Sequence, residues 1–305
     1  MEDIFITEFL NLNNEFKELG VFDSIINRDS PFFINLLRLK VNKTPEFQGS
    51  YERINNFYRK IMVLLDSSQS KGDKLYRAAL ELFHFPGVSG INLGVSETGI
   101  DAGFGPILSK QVINDAFDIV KSGSEQPEIF QLVGLFEKNV SADRLSDMIA
   151  TIILPDIRNY TIEINRKLNI NTEKYPNIEF QGEIAINPYK KCELLYLPKE
   201  VLHEIPIAES WSDIDRVIQE NQAIRDEVNE AIGKEWRKMC SADKKEYLKE
   251  HIFKDSQRCG RMIENYRTQT IAPYEIESNP EYLVASTFKQ IKREGVFDIL
   301  SHSAK

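Results

Sequence analysis

Cysteine is scarce in this sequence. The 305 residues include three cysteines, Cys192, Cys240 and Cys259, which are odd in number and widely spaced. None of them forms the Cys-x-x-Cys or Cys/His pair from which structural zinc sites are built, and the pattern does not support a disulfide framework. We therefore interpret the three side chains as the reduced thiols of a cytoplasmic protein.

Long apolar runs are also missing. The longest, residues 148–154, contains Thr151 and ends before Pro155, whereas a membrane-spanning helix needs roughly 18 consecutive apolar residues. The first residues of the chain carry acids and no basic segment, which argues against a secretory signal. We expect a cytoplasmic protein that stays in solution and has no membrane partner.

No complete catalytic motif is present. The four histidines occur in no HExxH or HxH spacing, and no Ser-His-Asp or Cys-His arrangement has a recognisable local signature. A metal-nuclease core would need an acid followed by (Asp/Glu)-x-Lys on a strand. That tripeptide occurs only at residues 15–17 and 243–245, both within helical patterns. These patterns leave open whether the chain is an enzyme, and they lean towards a non-catalytic protein.

Positive charge is in deficit. Lys and Arg number 38 against 47 Asp and Glu, and the net charge is −9. A protein that binds duplex DNA usually collects basic residues on one face to replace counterions. Here the basic stretches, such as residues 237–249, are interleaved with acids. The charge disfavours a nucleic-acid partner without forbidding one, and a protein partner or self-association is the favoured alternative.

Helical periodicity is what the sequence has in abundance. Residues 50–65 place apolar side chains at intervals of three and four, which is the spacing of an amphipathic helix. Comparable spacing, interrupted at Gly, Pro and capping residues, predicts further helices over residues 3–19, from Pro31 onwards, 73–83, 107–121, 127–138, 141–168, 214–239, 242–253, 257–266 and 280–293. Short strands are predicted at residues 91–95, 183–186 and 193–197.

These elements predict a mainly α protein of the α+β class with two regions. Residues 1–206 are expected to form a helical core domain with a Gly-rich loop at residues 85–106 and a small β element at about residues 178–198. Residues 207–305 are expected to form a charged helical region. The boundary depends on the change in composition after residue 206.

The Gly-rich loop has some features of a phosphate-binding loop. Gly99, Gly103 and Gly105 precede a predicted helix, and exposed backbone N–H groups at a helix N-terminus attract anions. The loop matches neither GxGxxG nor GxxxxGK[ST], Pro106 removes one donor, and Asp101 would repel a phosphate. These three glycines are therefore candidate ligand-binding residues, with a structural or partner-contacting loop as the favoured alternative.

Three carboxylates are the candidate catalytic residues. Asp143 and Asp147 lie four residues apart, so a helix would place them on one face, and paired carboxylates can bind Mg²⁺ or Mn²⁺. Glu137, just upstream, would be the natural third ligand. The simpler interpretation is that Asp143 interacts favourably with the helix dipole in the first turn and that Asp147 is solvated. We predict no cofactor, and a metal ion only if this carboxylate group is catalytic.

Three segments resemble a poorly characterised bacterial family of mobile restriction and phage-defence loci. They are residues 26–40 (INRDSPFFINLLRLK), the Gly-rich loop and residues 141–153 (SADRLSDMIATII). In that family a similar module precedes a C-terminal PD-(D/E)XK nuclease-like domain, and the nuclease signature is absent from this sequence. The resemblance implies that the chain is the N-terminal module alone, or that it works with a separate effector.

The function predicted from these observations is a non-catalytic sensing or assembly module of a bacterial anti-phage defence system. It would act through protein–protein contacts with a nuclease-type effector, and oligomerisation would fit the same role. Two alternatives stay open. One is a metal-dependent nuclease or phosphodiesterase that uses Glu137, Asp143 and Asp147. The other is a nucleotide-binding regulator that uses the Gly-rich loop.

Overall fold

The protein is described by a computed structural model that covers residues 2–12, 14–94, 104–137, 140, 142–204, 238–268 and 270–293. The predicted fold class is confirmed: helices dominate, and the strands are short. In the part of the chain that the structure describes, no helix has both the length and the apolar character needed to cross a membrane.

The helices follow the predicted periodicity closely in the middle of the chain. In chain order, the helices of the described residues are α1 (Ile6–Phe9), α2 (Glu15–Glu18), α3 (Leu36–Val41), α4 (Ser50–Ser67), α5 (Lys74–Leu82), α6 (Pro106–Lys121), α7 (Ala142–Ile152), α8 (Leu154–Lys167), α9 (Ser241–Leu248), α10 (Ser256–Thr268) and α11 (Pro280–Arg293). The sequence explains locally why α5 begins where it does: the Asp73 side chain caps the helix by accepting a hydrogen bond from the Tyr76 N–H at 2.8 Å. Helix α8 restarts at Pro155, in the first turn, where a proline is tolerated.

In the described part of the chain, five short strands form two antiparallel sheets. Strands β2 (Phe180–Gln181), β3 (Ile184–Asn187) and β4 (Cys192–Glu193) form a meander, which confirms the predicted β element. The strand predicted over residues 193–197 was wrong in its bounds, because β4 ends at Glu193. Strands β1 (Phe32–Ile34) and β5 (Leu202–Glu204) pair across most of the N-terminal region. Helix α7 packs on this second sheet, where the Ser146 hydroxyl accepts a hydrogen bond from the Ile34 N–H at 3.0 Å.

Two helix predictions near the N-terminus were wrong. The apolar spacing of residues 3–19 suggested one helix, but the chain forms α1 and α2 with Asn11 between them at a φ of 46°. Asparagine tolerates this left-handed conformation, which interrupts the helix. The Ser-Pro step at Pro31 begins a strand rather than a helix, and Asn35 instead caps α3 by accepting a hydrogen bond from the Arg38 N–H.

The glycine-containing segments also differ from the predictions. A helix was expected over residues 127–138, but residues 127–137 contain two 3₁₀ turns, Pro127–Phe130 and Val133–Leu135, and residue 138 lies outside the described residues. The strand predicted at residues 91–95 is replaced by a 3₁₀ turn, Ser89–Ile91, although residue 95 lies outside the described residues. Tertiary packing overrides local preference in both segments, because nearly all of these residues are buried.

The C-terminal helices share the hydrophobic core of the N-terminal region. Tyr282 of α11 packs against the rings of Phe5, Phe22 and Phe32, with centroid separations of 5.6–5.8 Å. The other buried apolar residues of this part that join the same cluster are Leu248, Ile252, Phe253, Cys259, Met262, Ile263, Ile276 and Ala285. The helix predicted at residues 214–239 falls almost entirely outside the described residues, and the two-region boundary stays a prediction.

Candidate functional site

The predicted ligand-binding glycines lie around the start of α6. Gly99 and Gly103 fall outside the described residues. Gly105 is the exposed residue that precedes the first turn of α6, and a Cβ added there would meet no atom within 4 Å. Neither close packing nor a left-handed backbone therefore requires glycine at position 105.

The other end of the Gly-rich loop is tightly packed. A Cβ added to Gly90 would lie 2.2 Å from the Glu193 carbonyl oxygen, and the Gly90 carbonyl accepts a hydrogen bond from the Leu195 N–H at 3.0 Å. Ser30 continues this contact: its N–H donates to the Asn92 carbonyl, and its own carbonyl accepts from the Gly94 N–H, each at 2.9 Å. Glycine is needed at position 90 because two backbones approach closely there.

Buried polar side chains support this end of the loop, and we call them the loop-base network: Ser24, Asp29, Asn92, Asn187 and Lys190. The Asn187 amide donates to the Ile26 carbonyl at 2.8 Å, and the Asn92 amide donates to the Ser24 hydroxyl at 3.3 Å. Lys190 forms a buried ion pair with Asp29. The positive charge of Lys190 is therefore balanced within the protein and is not available to a phosphate.

The predicted carboxylates are separated by secondary structure. Glu137 follows the 3₁₀ turn Val133–Leu135 and is 5% exposed, whereas Asp147 lies buried on α7. Asp143 lies in the first turn of the same helix, and its side chain is outside what the structure describes. Among the described residues, no group of three or more His, Cys, Asp and Glu side chains could hold a metal ion. The metal-site hypothesis therefore stays a prediction that depends on Asp143.

Glu137 lies beside partners that the sequence patterns did not indicate. Its carboxyl group lies close enough to that of Asp115, on α6, for the two groups to interact. Asp115 in turn forms an ion pair with Lys249, with the Nζ and Oδ2 atoms 3.2 Å apart. The Lys245 ammonium donates to the backbone carbonyls of Glu137 at 2.9 Å and Val140 at 3.3 Å. We call Asp115, Glu137, Lys245 and Lys249 the carboxyl–lysine cluster.

The environment of the cluster shifts the proton affinity of Glu137. Burial is the largest cause, the hydrogen bond and the negative charge of Asp115 add to it, and together they raise the pKa of Glu137 to about 8 against the opposing charges of Lys249 and Lys245. Burial alone would lower the pKa of Lys249, but the charge of Asp115 and their hydrogen bond raise it overall. Glu137 is therefore largely protonated near neutral pH.

The elements that position the cluster come from both halves of the chain. Helix α6 supplies Asp115, and a π turn over Lys249–Phe253, directly after α9, supplies Lys249. A π turn adds one residue to a helical turn and so changes the direction of its side chains. The rings of Phe136 and Phe253 pack beside the cluster with centroids 4.5 Å apart. A polar cluster of this kind can hold or exchange a proton, and it can also join two segments.

Sequence reasoning missed Asp115, Lys245 and Lys249. Asp115 lies among the apolar residues of α6, and the spacing of those residues predicted a helix without indicating a site. Lys245 and Lys249 are spaced as two ordinary charged positions of a solvated helix. The one signal available was Lys249 beside the apolar Ile252 and Phe253, and no local rule pairs it with an acid more than 100 residues away.

A second ion pair connects the same two parts of the chain. Arg267 of α10 binds the buried Glu128 with two hydrogen bonds, at 2.7 and 3.0 Å. The Arg267 carbonyl accepts a hydrogen bond from Lys40 at 2.6 Å, and the Ile271 carbonyl accepts one from Arg38 at 3.0 Å. These contacts and the carboxyl–lysine cluster form what we call the seam between the N-terminal region and the C-terminal helices.

The fold and the seam define a mainly α protein whose C-terminal helices are joined to its N-terminal region by charged groups. The chain belongs to the family described as a domain of unknown function (DUF8370), whose model matches residues 11–209. No curated protein and no solved structure matches the chain. Asp115 and Glu137 lie within the family domain, whereas Lys245 and Lys249 follow it in the sequence.

Proposed function

We propose that this protein is a non-catalytic sensing or assembly module of a bacterial anti-phage defence system. It acts in the cytoplasm through contacts with a nuclease-type effector protein. The resemblance of residues 26–40, of the Gly-rich loop and of residues 141–153 to defence-associated sequences supports the biological setting. The absence of a complete catalytic motif from the sequence supports the non-catalytic role.

The observation that carries the protein-contact part of the proposal is on α5. Tyr76 and Ala79 of this helix are buried, while Leu75 and Leu82 are 38% and 42% exposed. The two leucines are seven residues apart and therefore lie on one side of the helix, two turns apart. Leucines at this spacing are typical anchors for a partner protein. Helix α5 lies within the family domain and directly precedes the Gly-rich loop.

The environment of Glu137 argues against the metal-dependent alternative. The carboxyl groups of Glu137 and Asp115 interact, and the positive charges of Lys249 and Lys245 already act on Glu137, where a divalent cation would bind. A cation there would have to displace a proton and compete with Lys249. Asp143 and Asp147 would then have to supply a site without Glu137.

A phage-challenge experiment tests the proposal. Cells that express the chain together with the genes that flank it are infected with a phage panel, and the plaque counts are compared with those of cells lacking the chain. Leu75→Glu/Leu82→Glu should restore plaque formation because it removes the apolar anchors. Val63→Glu is the matched control, since Val63 is 59% exposed on α4 and outside the proposed surface.

The same cells separate the alternatives. If Glu137→Gln or Asp143→Asn abolishes protection while the α5 double variant retains it, and the purified chain cleaves DNA with Mg²⁺ or Mn²⁺, the non-catalytic proposal is wrong. If the chain confers no protection with its flanking genes present, the defence setting is wrong. Light scattering of the purified double variant shows whether α5 also mediates self-association.

A further inference from the structure

We propose that the carboxyl–lysine cluster is a proton-dependent latch that holds α9, the π turn and α10 on the family domain. The cluster lies at the seam, and each half of the chain supplies two of its four residues. The latch is closed when Glu137 is protonated beside Asp115, and it weakens when Glu137 loses that proton. This inference does not depend on the proposed defence role.

The charges around Glu137 explain why a proton is needed. Helix α6 presents Asp115, and α9 with the π turn presents Lys245 and Lys249. Lys249 also lies 3.4 Å from Glu246, so its charge is shared between two acids. Lys245 donates to backbone carbonyl oxygens. A second negative charge on Glu137 would therefore face Asp115 in a buried site, and like charges at that distance repel.

Helix α7 completes the surroundings of the 3₁₀ turn that carries Glu137. Its Leu145 lies close enough that a Cβ added to Gly134 would meet it at 3.3 Å. The charged side chains that the structure describes on α7 are Arg144 and Asp147, and neither is a source of the shift on Glu137. Among the described residues, the charges that shift the pKa of Glu137 therefore come from the two sides of the seam.

Burial of Glu137 beside a second acid gives the latch a direction in pH. A protonated Glu137 donates its hydrogen bond to the Asp115 carboxylate, which remains paired with Lys249. When the C-terminal helices detach, the Glu137 carboxyl enters water and loses its proton readily. Detachment therefore releases a proton, and a rise in pH favours it. The other carboxylate at the seam, Glu128, binds Arg267 directly and needs no proton.

Hydrogen–deuterium exchange of the full-length protein tests the latch. Amide protection of residues 241–268 is measured at pH 6.5 and pH 9 and corrected for the intrinsic effect of pH. In the wild type, protection should fall about tenfold or more, because the proton that closes the latch is lost in this interval. In Glu137→Gln, whose amide keeps the hydrogen bond to Asp115 and does not titrate, protection should change little between the two pH values.

Two further variants make the result specific. Glu128→Gln weakens the seam at the other ion pair, so it should lower protection by the same factor at both pH values. Asp115→Asn removes the neighbouring negative charge, which raises the pKa of Glu137. In this variant, protection should therefore be lost at a lower pH than in the wild type. Constant protection of the wild type from pH 6.5 to 9, or an equal fall in Glu137→Gln, would overturn the latch.

Discussion

Two buried polar regions of this protein each join separate segments of the chain, but they do so with different chemical groups. The loop-base network joins segments within the family domain mainly through amide, hydroxyl and backbone groups, and Asp29 with Lys190 is its one ion pair. The carboxyl–lysine cluster joins the family domain to helices beyond it through acids and lysines. Hydrogen bonds between neutral groups do not depend on pH, whereas a junction that needs a protonated carboxyl group does.

From this contrast we expect the loop-base network to stay intact at every pH and the carboxyl–lysine cluster to vary in stability with pH. The loop-base network has a close backbone approach at Gly90 and fully buried amides at Asn92 and Asn187. The cluster has partly exposed members, with the side chains of Asp115 and Lys249 at 18% and 16% exposure. Water and protons therefore reach the cluster more easily than they reach the loop base.

Gly90→Ala should have the largest effect on stability. The added Cβ would lie 2.2 Å from the Glu193 carbonyl oxygen, so β4 or the loop base must move. We expect a loss of about 3 kcal/mol in the free energy of unfolding, the usual scale for overpacking a tight site. Urea unfolding monitored by circular dichroism measures this loss. A loss under about 0.5 kcal/mol would mean that the backbones separate at no cost and that the loop base is not permanent.

Arg267→Ala should come next. The substitution leaves Glu128 buried and without the guanidinium that binds it through two hydrogen bonds. Arg267 is itself partly exposed, so we expect a loss of about 2 kcal/mol, below the 3–5 kcal/mol typical of a fully buried broken pair. Thermal unfolding of Arg267→Ala and of the double variant Glu128→Gln/Arg267→Ala checks this. The double variant should recover part of the loss, because no buried charge remains.

The effect of Glu137→Gln on the free energy of unfolding should change sign between low and high pH. Because the pKa of Glu137 is raised to about 8, its contribution to stability is complete below its ordinary value of 4.5 and is lost as pH rises through about 8. The wild type should therefore lose about 2 kcal/mol between pH 5 and pH 9, a figure reduced from the full shift because water reaches the cluster.

The variant has no titrating group at position 137, so its stability should be flatter over the same interval and should exceed that of the wild type at pH 9. Urea unfolding at pH 5, 7 and 9 measures both proteins. A wild-type stability that rises from pH 5 to pH 9 and a variant that follows it in parallel would contradict the assigned direction. Asn187→Ala, at the loop base, is the contrasting variant: it removes a neutral amide, so it should lower stability by a similar amount at every pH.

The sequence predicted the parts of the fold that depend on local periodicity. Helices α4, α5 and α6 follow apolar spacing and clear start signals such as Asp73 and Pro106. The first helix was wrong because apolar spacing continues through Asn11 while its backbone does not. The pairing of β1 with β5 could not be predicted, since a three-residue strand carries no signal for a partner 170 residues away.

The candidate site was less predictable for a related reason. Glu137 was singled out by its distance along the chain from Asp143 and Asp147, yet its chemistry depends on Asp115 and Lys249. The proton affinity of a carboxyl group is determined by burial and by neighbouring charge, and both are properties of the folded chain. Sequence spacing therefore identified one member of the cluster and assigned it a different role.

Gly105→Ser should have the smallest effect and sharpens the contrast within the Gly-rich loop itself. Unlike Gly90, Gly105 has open space around it and an ordinary extended backbone at the start of α6. A serine there can cap the helix, so we expect a change within about 0.5 kcal/mol, towards greater stability.

Thermal unfolding with and without nucleotides and Mg²⁺ or Mn²⁺ tests both this value and the ligand hypothesis. A ligand that binds only the folded state raises the melting temperature. If a nucleotide raises it in the wild type and fails to do so in Gly105→Ser, the loop is a binding site and the protein-contact proposal must give way to the nucleotide-regulator alternative.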